Sequence, residues 1–414
     1  MFHIKKDSEN AETVDEKRPS EKPVLNKKRN WLLLTWIVGI AIYLSARYFP
    51  VIAEKVFARG VFKVYAWIMS HITGILPFSL AEFLLILFPF FILFVIILGI
   101  VNIIKKKGQR LQAFAGLIRD LLCITGIVFL WFMIGAGTNY YRYEFTAFSG
   151  LEVKKSDTEE LYRLCMELAQ KTNAARTEAV AEAENARKNN DAENAGKNAT
   201  GAEQSSNNAA APFRSALTNR ERGLQAKLAM EKLSESYEVL KGYYPCPKPV
   251  LFSRVMSEFN ITGVYFPWTV EANADVDIPH YSIGATMCHE LSHLRGFMRE
   301  DEANFISYLS CVNSDSAELR YSGYMLALVY AGNRLYSDSK ELYYEVLATY
   351  SEGILADFRE NNEYWKQFED TALSEAGEKM NNTYLKANNQ TDGTKSYGRM
   401  VDLLLAEYRK NHEE

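Results

Sequence analysis

The sequence predicts a mainly α membrane protein in which three transmembrane helices precede an α+β domain with a small β element. Three observations carry that prediction. The first is the uneven placing of apolar residues: 48% of the 414 residues are hydrophobic, yet most long aliphatic runs lie before Gly137. The second is that the remainder is polar and Tyr-rich, with apolar residues recurring at helical spacing. The third is a Lys/Arg distribution that alternates between the segments flanking the apolar runs. A net charge of −4, with no Lys/Arg cluster interleaved with aromatics in the polar part, excludes nucleic acid as a partner. Cys123, Cys165, Cys246, Cys288 and Cys311 are too few and too irregularly spaced for a disulfide framework or a Cys-x-x-Cys zinc site.

The spans follow in order. Residues 31–48 open with an uncharged run, WLLLTWIVGIAIYLSA, closed by Arg47, which can snorkel to the interface. A charged leader at 1–30 precedes it, and no convincing small-residue cleavage site follows, so an uncleaved anchor is expected rather than a signal peptide. The second span, 83–104, contains nineteen uncharged residues from Phe83 to Val101, enough to cross a hydrocarbon core of roughly 30 Å. Pro89 inside it is tolerable in lipid. The third, 121–141, is also uncharged and ends in Tyr140 and Tyr141, where an aromatic belt is expected. Between the first two spans, residues 51–75 form an amphipathic stretch expected to lie in the interface. The leader (Lys5, Lys6, Lys17, Arg18, Lys22, Lys27, Lys28, Arg29) and the second loop (Lys105, Lys106, Lys107, Arg110, Arg119) are rich in basic residues, which places both on the cytoplasmic side. The expected location is therefore the plasma membrane, amino terminus inside, with residues 142–414 extracytoplasmic.

Within 142–414, Leu161, Leu164, Cys165 and Leu168 mark a helix over 156–172. Residues 173–211 are Ala, Asn, Glu, Lys and Ser with almost no large apolar side chain, and are expected to be a flexible insertion. A second helical stretch runs from Arg214 to about Tyr243 and is broken by Pro245, Pro247 and Pro249. Thr262-Gly-Val-Tyr-Phe-Pro-Trp-Thr-Val270 has the β-branched and aromatic content of a strand, read equally as a substrate-aligning edge strand or a core hairpin. Beyond Leu319 the chain reads as helical, interrupted at 388–394.

The chemistry concentrates in His289-Glu290-Leu291-Ser292-His293. Two histidines four apart on a helix project from one face and can share a metal, with Glu290 on the same side. Ser282 can cap this helix, Ile283, Met287, Leu291 and Leu294 give it an apolar stripe, and Gly296 can end it. A catalytic zinc needs a third protein ligand and an open position for water. Arg299 stands where a metzincin would have its third histidine and cannot coordinate a cation. Glu300 is the candidate: with Asn304 it lies at i and i+4 of a second helix, so Asn304 can orient a ligand histidine, whereas Glu302 points about 200° away and is the weaker choice. Tyr397 and Arg399 could each supply a hydrogen bond to a developing oxyanion, although packing is the favoured role for both. His71 and His280 read as structural.

HExxH followed by Arg299-Glu-Asp-Glu-Ala-Asn304 resembles the gluzincin pattern, particularly the Glu-x-x-Ala-Asp element of CAAX-prenyl-protease-like metallopeptidases, with Asn304 in place of Asp and a much shorter spacer. Over nearly its whole length the chain also resembles a bacterial family of three-span proteins of unknown function. Thr262-Gly-Val-Tyr-Phe-Pro, Glu271-Ala-Asn, HELSHLRGF-x-REDEANF and Lys395-Ser-Tyr-Gly-Arg carry that likeness. The gluzincin resemblance implies a zincin-like domain at 142–414, with Zn2+ held by His289, His293 and Glu300 and Glu290 as general base. The reaction it implies is peptide-bond hydrolysis by a zinc-activated water, with a peptide or protein as substrate and the lipid bilayer as the other partner. The rival reading is a zinc-stabilised, non-catalytic membrane sensor or scaffold.

Overall fold

The computed structural model describes residues 27–194, 210–388, 390 and 399–412. The leader up to residue 26 lies outside the described residues, as do residues 195–209 of the expected insertion, most of the 388–394 loop and Tyr397. The described part is mainly helical, with one small sheet.

Three helices are long and apolar enough to cross a membrane. The first is α1 (Leu34–Tyr48), continuous with a tighter turn over Lys27–Leu33. After α2 (Phe62–Gly74) come α3 (Leu80–Lys105) and α4 (Arg110–Gly135), each 26 residues or about 39 Å long at 1.5 Å per residue. Ser79 caps α3 by accepting the Glu82 N–H at 3.2 Å. Along α3 the outward side chains are almost all Leu, Ile or Phe, and they are exposed. A surface of that size and composition is tolerable in hydrocarbon and a liability in water. Trp36 stacks on Phe129 at 5.1 Å and donates to Leu122 O at 2.9 Å, which ties α1 to α4.

The third span differs from its expectation. The helix stops at Gly135, and a short turn over Gly137–Tyr141 carries the chain back into the protein. Tyr140 and Tyr141, expected in an aromatic belt, are only 4% and 9% exposed. The Tyr140 hydroxyl donates to that of Tyr384 at 2.9 Å, and the next residue, Arg142, pairs with buried Glu54 at 3.0 Å. Tertiary partners outcompete the interface for these rings.

The expected interfacial stretch is helical from Pro50 to Gly74, with wider π-type turns over Ala53–Val61. It has a buried face of mixed polarity and an exposed apolar face. Phe62, Ala66, Ser70 and Thr73 are buried against the rest of the protein, while Val64, Trp67, Ile68 and Ile72 are exposed.

The carboxyl-terminal part is built on α5 (Thr158–Asn194), α6 (Asn219–Ser236), α7 (His280–His293), α8 (Glu300–Val312) and α9 (Ala317–Asp338). Around these lie α10 (Lys340–Leu347), α11 (Glu352–Lys366), α12 (Ala372–Ala387) and α13 (Met400–His412). The helix α5 corrects the expectation of a flexible insertion opening at 173, because it continues to Asn194. Ala175, Ala179 and Ala183 recur every four residues and are buried, so the stripe that composition marks as unable to form a core lets α5 pack closely. Arg176 on the same helix pairs with fully buried Asp357 of α11 at 2.8 Å.

The sheet has three short strands in the order β1 (Lys248–Pro249), β3 (Glu271–Ala274), β2 (Gly263–Phe266). β1 is parallel to β3, whereas β2 is antiparallel to it, in the register Gly263 to Ala274 and Phe266 to Glu271. The strand-like stretch of the sequence is therefore a hairpin whose first strand lies at the sheet edge.

This hairpin docks on the membrane helices. Tyr265 OH donates to Gly135 O at 2.9 Å, Trp268 Nε1 donates to Val128 O at 3.1 Å, and Glu271 accepts the Leu80 and Ala81 N–H groups at the start of α3. Tyr65 OH lies 2.9 Å from Pro267 O and Trp268 O and accepts from Trp131 Nε1 at 2.7 Å. The buried core is continuous across residue 141: Ala46, Phe62 and Tyr140 share one cluster with Ile283, Leu319 and Leu404.

Candidate metal centre

α7 is positioned by its apolar stripe: Ile283, Met287, Leu291 and Leu294 are fully buried. It begins at His280 after Pro279 with no side-chain cap, so Ser282 is not the cap expected of it; its hydroxyl bonds back to Pro279 O at 2.7 Å within the first turn. The helix ends at His293, and Gly296, with φ of +82°, turns the chain toward α8.

That turn brings Glu300, the first residue of α8, onto the histidine face. His289 Nε2 and His293 Nε2 are 3.1 Å apart, Glu300 Oε2 is 3.2 Å from His289 Nε2, and Glu300 Oε1 is 3.9 Å from His293 Nε2. One ligand atom from each residue can be chosen so that all lie within 4.8 Å of one another. A tetrahedral ion with bonds of about 2.0–2.1 Å would set its ligand atoms about 3.3 Å apart. The described distances bracket that separation.

The outer ring nitrogens decide what the inner ones can do. His293 Nδ1 is 2.7 Å from Phe297 O, a pure acceptor, so Nδ1 carries the proton and Nε2 presents a lone pair inward. His289 Nδ1 is 2.8 Å from Asn304 Oδ1, whose amide nitrogen in turn donates to Tyr330 OH at 3.1 Å. Asn304 is thus where the i, i+4 argument expects it. With both outer nitrogens engaged, two inward nitrogens 3.1 Å apart need a proton or a cation between them, and a carboxylate stands beside them. The donor set suits a divalent metal.

The electrostatics agree. Burial works against a charged His289, but the Glu300 hydrogen bond and charge raise it to about 9. Burial and the neighbouring His289 push His293 down to about 4. Despite its own burial, Glu300 is held below the usual carboxylate range by His289.

Glu290 is 4% exposed and lies against β2. A Cβ added to Gly263 would fall 2.3 Å from Glu290 Oε1, so the strand approaches the carboxylate as closely as it does only because residue 263 has no side chain. Burial raises Glu290 to about 8, opposed by His289 and by a hydrogen bond from the Tyr265 backbone. Its Oε2 has no hydrogen-bond partner among the described residues.

The remaining candidates fall elsewhere. Glu302 points away from the histidines, accepting the Phe145 N–H at 2.6 Å beside Arg299 and Arg142. Arg299 pairs with Glu144 at 2.7 Å, and Arg399 pairs with Asp301 at 3.0 Å rather than facing the ligands. His280 Nδ1 accepts the Ser215 N–H, and His71 stacks on Tyr243 at 3.7 Å. Three tyrosines that motif reasoning did not select surround the centre. The Tyr265 ring lies 6.0 Å from that of His293, and the Glu300 charge reaches both Tyr330 and Tyr384. Burial raises all three, so each keeps its hydroxyl proton. Tyr265 belongs to the strand-like Thr262–Val270 segment, whereas Tyr330 and Tyr384 carry no local signal.

The family described as Protein of unknown function (DUF3810) matches residues 57–405, and the chain belongs to it. No curated protein and no solved structure matches the chain.

Proposed function

We propose that the protein is a membrane-anchored zinc metallopeptidase in which His289, His293 and Glu300 hold the ion and Glu290 is the general base. The observation that carries this reading is the convergence of the two imidazoles and the carboxylate, with their outer atoms fixed by Phe297 O and Asn304. A bound zinc supplies Lewis acidity and lowers the pKa of a water toward about 7. Beside such a cation Glu290 would be held ionised, and it would then accept the proton of a water at the site and deliver it to the leaving amine. The gluzincin resemblance supports the same assignment. So does β2, which lies at the sheet edge beside Glu290, where an extended peptide can add as a further strand. The positive-inside pattern supports an extracytoplasmic site.

A zinc-stabilised scaffold draws support from one observation: the ligand side chains are only 14%, 9% and 14% exposed, as in a closed structural site. Glu290→Gln separates the two readings. A peptidase variant retains zinc and loses cleavage of a peptide library, whereas cleavage undiminished by the substitution overturns the mechanism.

A further inference from the structure

Just beyond the zinc helix, a cavity of about 110 Å³ is lined by Arg59, Lys63, Arg142, Lys241 and Arg295, with Glu238 as its one carboxylate. Glu54 pairs with Arg59 at 2.7 Å and with Arg142 at 3.0 Å, and Lys241 pairs with Glu238 at 3.3 Å. Five cations against Glu54 and Glu238 leave three positive charges in excess. Neither Lys63 nor Arg295 has a carboxylate partner among the described residues. Arg295 is the stronger anomaly, because it is 8% exposed. Its guanidinium has one carbonyl acceptor, Tyr243 O at 3.1 Å, and the face of Tyr244 at 4.8 Å, while its Nε has no partner among the described residues. Burying a guanidinium without a counter-charge is costly, so a hollow that does so with Arg295 and gathers four more basic side chains beside it is suited to receive an anion.

Location narrows the class. Arg59 and Lys63 lie on the helical stretch whose other flank exposes Val64, Trp67, Ile68 and Ile72 to what is expected to be the bilayer interface. Arginine forks match the oxygen geometry of phosphate, and basic side chains at a membrane surface attract anionic headgroups. We propose that this cavity binds a phosphate group, supplied by an anionic phospholipid headgroup or by free phosphate. The site is separate from the metal chemistry and stands whether or not the peptidase reading does.

The test is thermal unfolding of the full chain in detergent at fixed ionic strength. It is titrated with dihexanoylphosphatidylglycerol, dihexanoylphosphatidylcholine or inorganic phosphate. Expected is a rise in midpoint with the anionic lipid and none with phosphatidylcholine. A response at tenfold or more lower concentration of lipid than of phosphate identifies a headgroup site, and equal responses identify a free-anion site. Lys63→Glu with Lys241→Glu, both at exposed positions, should weaken the response at least tenfold while leaving the unliganded midpoint nearly unchanged. A response to phosphatidylcholine equal to that to phosphatidylglycerol, no response to either anion, or one undiminished in the double variant overturns the proposal.

Discussion

Gly263→Ala tests the link between the edge strand and Glu290, the proposed general base. The three atoms nearest the added methyl all belong to Glu290, at 2.3, 2.8 and 2.9 Å. The Gly263 backbone is not among the positive-φ positions, so alanine itself is acceptable there. To reach ordinary contact the carboxylate must retreat by about 1 Å. Overpacking costs about 1–3 kcal/mol and the stiffer unfolded chain returns about 0.4–1 kcal/mol, so the net loss of stability is at most about 2.6 kcal/mol. Catalysis should suffer more, since a displacement of about 1 Å can cost about 100-fold. The assay combines cleavage of a quenched-fluorescent peptide library with zinc content and a melting curve. The account expects full zinc, a modest drop in midpoint and a kcat lower by about two orders of magnitude. Cleavage within twofold of wild type, at equal zinc content, would refute the role given to this contact.

Three further outcomes follow. Asn304→Ala removes the partner of His289 Nδ1 at 2.8 Å and should weaken zinc binding about 10- to 100-fold in a chelator competition, with unchanged affinity counting against the orienting role. Asp357→Ala strips Arg176, Tyr321 and the Phe213 N–H of a fully buried acceptor and should cost about 3–5 kcal/mol in thermal unfolding; a loss below about 1 kcal/mol would contradict the buried pairing. Glu407 is raised to about 7 by burial, against the hydrogen bond from Tyr308. Its folded form holds the proton more tightly than the unfolded chain does, so it costs stability as pH rises from the usual carboxylate range to about 7. The midpoint of Glu407→Gln relative to wild type should therefore increase across that window, and a flat difference would remove Glu407 from the pH dependence.

What could be read from the sequence was what is local. The i, i+4 histidines, the Gly296 turn and the Glu300–Asn304 pair all fall within 16 residues, and helix geometry with one tight turn brings them together. The three apolar runs were legible because lipid demands long uninterrupted apolar helices. Longer-range packing was not. Tyr140 leaves the interface for Tyr384, some 240 residues away, and Glu54 of the amphipathic stretch is buried against Arg142. The alanine stripe of α5 reads as solvated chain until a partner helix is present, because small side chains bury little area each but permit close approach. A missing capping bond at Ser282 made no difference to α7, whose buried stripe outweighs a cap worth about 1 kcal/mol.

Metal analysis of the purified full chain bears most directly on the centre formed by His289, His293 and Glu300. One zinc per chain in the wild-type protein, and none in His289→Ala of the same fold by circular dichroism, is the expected result. A wild-type protein that takes up no zinc after equilibration with it at neutral pH would contradict the account.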